Sequence, residues 1–428
     1  MAATSQMKVL VVGGGGREHA LAWALARSPS VREVLCAPGN AGIEAVARCV
    51  PVKADEMVKL AELADAEKVD LVVVGPEAPL VAGLADLLRD RGHAVFGCSR
   101  AAAEIEGSKI FSKELMQRHA VPTAAFGAFS QAPEAELFID QLCRDAERVV
   151  IKADGLAAGK GVVIARGAAE AKAALRSMLA GETVGDAGRR VVVEEFLVGR
   201  EASLMALVDG ERVTPLVPCE DHKQVHDGDQ GPMTGGMGVV SPTTVMSDLE
   251  VARAVREVLE PTARGMAAEG RSFRGLLYAG LMLTEKGPRA LEFNCRFGDP
   301  ETQALMARLD DDLGQVLYAN ATGRPIERVR FSPRAAVTVV MASEGYPGAY
   351  TGGVPIDGLD AAGRLDGVTV FHAGTRRDGD RIVTAGGRVL GVTAVGDDVG
   401  AARARAYDAA AQIKFAGAHY RRDIGARH

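Results

Sequence analysis

Nothing in these 428 residues approaches the ~20 consecutive apolar positions that cross a bilayer, and the longest such run is Leu276 to Leu283. A cysteine framework is missing as well. The six cysteines, Cys36, Cys49, Cys98, Cys143, Cys219 and Cys295, are irregularly spaced and form no C-x-x-C pair, which excludes a disulfide scaffold or a zinc ribbon. Charge of one sign is not in excess. Fifty Lys and Arg against 56 Asp and Glu leave a net of −6, which excludes a surface built to coat nucleic acid or an anionic membrane. Met1 to Gln6 is small and polar, unlike a signal peptide. These absences predict a cytoplasmic protein with reduced thiols and neither a nucleic-acid nor a membrane partner. Tryptophan occurs once, and Trp23 lies in an Ala/Leu stretch that reads as helix packing.

What is abundant is glycine, 50 residues in all, about 12% of the chain against a typical ~7%. The hydrophobic share, 47%, is ample for a buried core. The length predicts about three domains. The first hundred residues alternate short apolar strands with helices: Lys8 to Val12, His19 to Arg27, Val34 to Cys36, and Leu71 to Val74. That texture predicts an α/β domain with a parallel sheet, which binds ligands at the carboxyl ends of its strands. Ser108 is an N-cap candidate for a helix carrying Phe111 and Leu115. Strands at Val149 to Ile151 and Gly161 to Ile164 flank a glycine- and lysine-bearing loop, and another runs from Val191 to Val193 into Glu194. From Ala335 short strands dominate, with one late helix from Ala401 to Gln412. This predicts a smaller β-rich C-terminal domain.

Three sites carry chemistry. Gly13, Gly14, Gly15 and Gly16 follow a strand and open a helix, an arrangement that turns backbone N–H groups toward an anion, most simply a phosphate. The dinucleotide fingerprint fails there. Glu18 or His19 occupies the third glycine position, and Cys36 and Ala37 stand where a ribose-binding acid belongs. The loop from Lys152 to Lys160 departs from a Walker loop in glycine spacing, and Gly161 replaces its Ser/Thr. It reads instead as a hairpin with a lysine at each end, able to close over a polyphosphate. In Glu292-Phe293-Asn294-Cys295-Arg296, strand alternation puts Glu292, Asn294 and Arg296 on one face. A carboxylate beside an amide oxygen suits Mg²⁺, and Arg296 suits a carboxylate or phosphate. An exposed polar strand face explains that segment equally well. His222 and His226 have metal-like spacing without further ligands nearby.

In this order the three sites resemble the ATP-grasp ligases and, more closely, the phosphoribosylamine–glycine ligase family. The resemblance rests on Gly15 to Ala20, Ala37 to Gly42, Val74 to Leu80, Glu106 to Lys109, Ile151 to Gly161, Thr234 to Gly238, Glu292 to Gln303 and Phe371 to Thr375. It implies a Rossmann-like, pre-ATP-grasp domain over residues 1–107 and an ATP-grasp domain of two α+β subdomains over 108–330, with a mobile lid near 123–194. The C-terminal domain would span 331–428. The implied reaction joins glycine to 5-phosphoribosylamine through glycyl phosphate at the expense of ATP, with Mg²⁺ or Mn²⁺, in purine synthesis. Lys109, Lys152 and Lys160 would hold the phosphates. Glu194, Glu195, Phe196 and Leu197 would border adenine, with Glu201 reaching the ribose. Glu292 and Asn294 would bind the metal, and Arg296 and Asp299 would orient glycine as the catalytic pair. Gly13 to Gly16, Asn40 and Glu77 would accept phosphoribosylamine, with Arg296 nearby. The implied assembly is a monomer or homodimer. Met233 departs from the family, which often carries Asn there. Another ATP-grasp carboxylate–amine ligase is the nearest rival. An NAD-dependent oxidoreductase and an idle nucleotide sensor are disfavoured, by the broken fingerprint and by the intact lysines with Glu292 and Asn294, respectively.

Overall fold

A computed structural model describes residues 6–156, 161–182 and 185–427. The first sheet is built from β1 (Met7–Gly13), β2 (Val31–Pro38), β3 (Arg48–Cys49), β4 (Leu71–Val74) and β5 (Ala94–Phe96), all parallel, in the order β3-β2-β1-β4-β5. The central strands β1 and β4 are buried on both faces. Leu10 and Val12 join one core with Leu60, while Val9 and Val11 join another with Leu21 and Leu25. The strand order reverses between β1 and β4, so a crevice opens at their carboxyl ends, Gly13 and Gly75. The first helix begins at Gly16, ahead of the expected His19, because Glu18 Oε2 accepts the Gly15 N–H at 2.6 Å and caps it there.

Helices Arg100–Gly107 and Lys109–Arg118 meet at Ser108, whose Oγ accepts from Phe111 N at 3.1 Å, the expected N-cap. A separate antiparallel sheet follows. It comprises β6 (Phe126–Phe129), β7 (Arg148–Ala153), β8 (Val162–Arg166) and β9 (Val191–Glu195), ordered β6-β9-β7-β8. Its small core, including Ile139, Ile151, Leu175 and Val193, is its own. The β7–β8 hairpin is the one read from the sequence. Its residues 157–160, Lys160 among them, lie outside the described residues.

Beyond it run β10 (Arg200–Asp209), β11 (Arg212–Pro215), β12 (Glu220–Asp221), β13 (Gln224–His226), β14 (Gln230–Met233) and β15 (Gly238–Ser241), then the long pair β16 (Arg274–Thr284) and β17 (Gly287–Asn294). The order β11-β10-β16-β17 forms the second large antiparallel sheet, with β17 at its edge facing the hairpin sheet. The last strands are β18 (Ala335–Ala342), β19 (Val368–His372), β20 (Thr375–Asp378), β21 (Arg381–Thr384) and β22 (Arg388–Gly396). β20 and β21 pair with each other, and β18, β22 and β19 join the sheet β12-β15-β18-β22-β19, which takes two strands from the middle of the chain, with Gly238 opposite Val339. The C-terminal tail binds that same middle segment. Arg421, fully buried, pairs with Asp229 and donates to Gln224 O, and Gly228 N donates to Asp423 Oδ2. No helix among the described residues is long and apolar enough to cross a membrane.

Candidate active site

A cavity of about 450 Å³ lies where the hairpin sheet, β16–β17, the first sheet's loops and β22 converge. Lys109, Lys152, Glu194, Glu195, Phe196, Leu197 and Glu201 line one side of it. Glu292, Asn294, Arg296, Asp299 and Glu77 line the rest. Gly13 to Gly16 and Asn40 stand behind Arg17 and Glu77 and do not line it.

Glu292 projects from β17 opposite Gly280 of β16, where any side chain would crowd it: a Cβ at Gly280 would lie 3.3 Å from Glu292 Cγ. Lys223 Nζ sits 3.4 Å from Glu292 Oε1. Lys223 first, then Lys152 and Lys109, outweigh burial and hold the carboxyl down at about 2. Asn294 lies two residues along the same strand. In the orientation that satisfies its amide, its nitrogen donates to Glu106 Oε1 at 3.1 Å, which leaves the oxygen as an acceptor. Among the described residues no cluster of three or more His, Cys, Asp or Glu offers a self-contained metal cage. The donor set is one carboxylate, held low by its lysines, plus one amide oxygen. That fits a hard divalent cation whose remaining ligands are phosphate oxygens and water.

Lys152 Nζ donates to Leu291 O at 2.9 Å and pairs with Glu194 Oε1 at 3.0 Å. Glu194 lines the cavity between two lysines. Its carboxylate is buried, with Lys113 on its other oxygen at 2.9 Å. Burial pushes its pKa up, but Lys152 and Lys113 prevail and hold it below the usual carboxylate range. The next residues remain at the cavity wall. Glu195 Oε1 accepts from Ala125 N, and the Arg148 guanidinium stacks 3.7 Å from the Phe196 ring. Lys113 and Lys223 were missed in the sequence. Lys113 lies four residues after Lys109, one helical turn on, and that spacing was the available signal.

The opposite wall is a lattice of ion pairs. Arg296 reaches Glu106 Oε1 at 3.0 Å and Glu77 Oε2 at 3.3 Å. Burial works against the guanidinium's charge, yet Glu106 and Glu77 more than restore it, so the proton is held more firmly than usual. Asp299 accepts from Gln303 Nε2 at 2.9 Å and from Arg17 N at 3.4 Å, and it pairs with Arg388 at 3.5 Å. Burial raises its pKa, but Arg388 and Arg17 bring it below the ordinary value. Arg388 also donates to Gly235 O and Asp299 O at 2.6 Å, tying β22 to this wall. Arg17, Glu106 and Arg388 went unassigned in the sequence, since only tertiary folding brings them together.

The glycine cluster has an internal explanation. A Cβ at Gly13 would lie 2.6 Å from Glu18 Cγ, one at Gly75 would lie 2.2 Å from Glu18 Oε1, and one at Gly14 would lie 2.4 Å from Gly39 O. The loop is thus folded around the chain's own carboxylate, which takes the Gly15 amide expected for a phosphate. Asn40 is equally committed. Its nitrogen donates to Gly14 O and His372 O, and its oxygen accepts from Gly42 N and Ile43 N. Behind it, His372 N donates to His19 Nδ1 at 2.8 Å. Burial lowers these two imidazoles to about 3 for His19 and about 4 for His372. Away from the cavity, His226 packs edge-on against His419 and belongs to no metal-holding cluster among the described residues.

Comparison with known proteins shows the same three-part layout. Residues 7–106, 107–302 and 336–427 match, respectively, the N domain, the ATP-grasp (A) domain and the C domain of phosphoribosylglycinamide synthetase. A phosphoribosylamine–glycine ligase of Pseudomonas aeruginosa is 50% identical over 426 residues, 98% of each chain. One of Brucella melitensis is 51% identical over 422 residues, again 98% of each. The crystal structure of phosphoribosylamine–glycine ligase from Thermotoga maritima superposes with a TM-score of 0.85 at 33% identity, covering 97% of this chain and all of that one.

Proposed function

The chain belongs to the phosphoribosylglycinamide synthetase family, an ATP-dependent ligase family of purine biosynthesis, and from that premise we propose that its cleft joins glycine to 5-phospho-β-D-ribosylamine. The products are glycinamide ribonucleotide, ADP and phosphate, and the reaction runs in the cytoplasm in a monomer or homodimer. The observation that carries this reading is one cavity with an ionised acid–amide pair under a lysine wall and, across from it, an Arg–carboxylate lattice.

Phosphoryl transfer needs positioning and charge neutralisation more than a protein nucleophile. Lys109, Lys152 and Lys160 hold the ATP phosphates, with the base along Glu195 to Leu197 and the ribose toward Glu201. Glu292 and Asn294 are the residues that hold Mg²⁺ or Mn²⁺, which supplies charge neutralisation on the phosphates. Arg296 and Asp299 orient glycine so that its carboxylate meets the γ-phosphorus. The resulting glycyl phosphate stays shielded while the phosphoribosylamine nitrogen attacks its carbonyl carbon and phosphate leaves. The Gly13 to Gly16 loop, Asn40 and Glu77 form the edge that receives phosphoribosylamine. Arg296, already braced by Glu77 and Glu106, adjoins both substrates without reorganising.

The test is ADP release with freshly made phosphoribosylamine. Release is expected with glycine and not with alanine or serine. Release that ignores glycine, or that alanine supports equally, overturns the assignment.

A further inference from the structure

Lys113 is a lysine the reaction scheme leaves without a task. It is 2% exposed. Its Nζ donates to Glu194 Oε2 at 2.9 Å and to Thr123 Oγ1 at 2.7 Å, and Thr123 in turn donates to Ala290 O. Glu194 Oε1 meets Lys152 Nζ at 3.0 Å, but without hydrogen-bond geometry, and the aligned donation from Lys152 goes to Leu291 O. Two cations therefore share one anion, at the point where helix Lys109–Arg118, β7, β9 and β17 meet.

The arithmetic of charge decides what this cluster does. A buried Lys152–Glu194 pair alone would be neutral, and in a low dielectric it would offer a phosphate little attraction. The second lysine leaves one positive charge in surplus. We propose that Lys113 is a positioning residue for ATP: by occupying Glu194 from behind, it lets that carboxylate aim Lys152 without cancelling its charge. Glu194 thus acts through Lys152 and not on the adenine. Burial, opposed by Glu194, brings Lys113 down to about 8, in keeping with a strained charge balance.

This inference rests on the proposed ATP site but is read out separately, by calorimetry with a non-hydrolysable ATP analogue and Mg²⁺, alongside KM for ATP and glycine. Lys113→Met is expected to weaken analogue binding and raise the ATP KM by about 10- to 100-fold, the scale of one charge-assisted contact, with the glycine KM within about threefold. Neutralising the anion as well, in Lys113→Met/Glu194→Gln, is expected to recover at least about tenfold of that loss, since coupled residues are non-additive. Unchanged analogue affinity in Lys113→Met overturns the proposal. So does a cooperatively melting double variant as weak as the single one. If Lys113→Met does not fold, Glu194→Gln and the double variant decide: their analogue affinities should agree within about threefold, and a tenfold gap overturns the idea. Wild-type protein that binds the analogue yet shows no glycine-dependent ADP release would sink the reaction assignment alone.

Discussion

On one side of the cleft, Lys109, Lys113, Lys152 and Lys223 surround two carboxylates, Glu194 and Glu292. On the opposite side, Arg17, Arg296 and Arg388 are interleaved with Glu18, Glu77, Glu106 and Asp299. The first wall carries more cations than anions and is completed only by something anionic from outside. The second sets three arginines against four carboxylates, so it has no cationic surplus and contributes fixed directions. A reaction between a triphosphate and a small zwitterion needs both kinds of wall, one to gather charge and one to aim atoms.

The contrast breaks most visibly at Glu292. Glu292→Ala is expected to cut turnover by about 10²-fold or more, the usual scale for a lost transition-state charge contact. Near-normal turnover at saturating Mg²⁺ would remove the metal assignment. The next largest effect separates the two walls. Arg296→Met leaves Glu77 and Glu106 without their shared cation and should lower unfolding stability by roughly 3 kcal/mol, the cost of breaking a buried pair. Lys152→Met, which leaves Lys113 on Glu194, should cost less stability than Arg296→Met and act chiefly on nucleotide affinity. Reversed outcomes in thermal melts would show that the walls had been assigned to the wrong tasks.

A third test concerns the neutral seam behind the arginine wall. His19 and His372 are held well below their unfolded value of 6.5, so the unfolded chain binds more protons between that pH and their folded values. Stability should therefore fall as pH drops from 6.5 toward 4, and the decline should flatten near 3. His19→Gln, followed by denaturant titration across this range, should show a shallower slope. An unaltered slope would mean that the imidazoles titrate freely. The smallest effect is expected at Met233, which lines the cavity without a polar partner. Met233→Asn should shift ATP and glycine KM by less than about threefold.

The parallel sheet and the β7–β8 hairpin were legible because strand alternation and glycine punctuation are local signals. Glu292 and Asn294 were legible for the same reason, two positions apart on one strand. Lys223 and Arg388 were not, since their partners lie far along the chain: Lys223 reaches Glu292, and Arg388 reaches Asp299. The four glycines were legible as a tight turn at a helix start, but the internal acid they fold around was not: Glu18 takes the Gly15 amide, and Gly75, which also makes room for it, lies sixty residues away.

Strand β15 lies in a sheet whose other members, apart from β12, are synthesised about a hundred residues later, opposite Val339 and its neighbours. During synthesis its outer edge therefore has no backbone to pair with until the last quarter of the polypeptide emerges. Contacts this distant in sequence slow folding and leave an unpaired border open to the wrong neighbour. Shortened versions ending before Ala335 would inherit that border permanently, so the nucleotide half of this ligase is not expected to survive as a free-standing fragment.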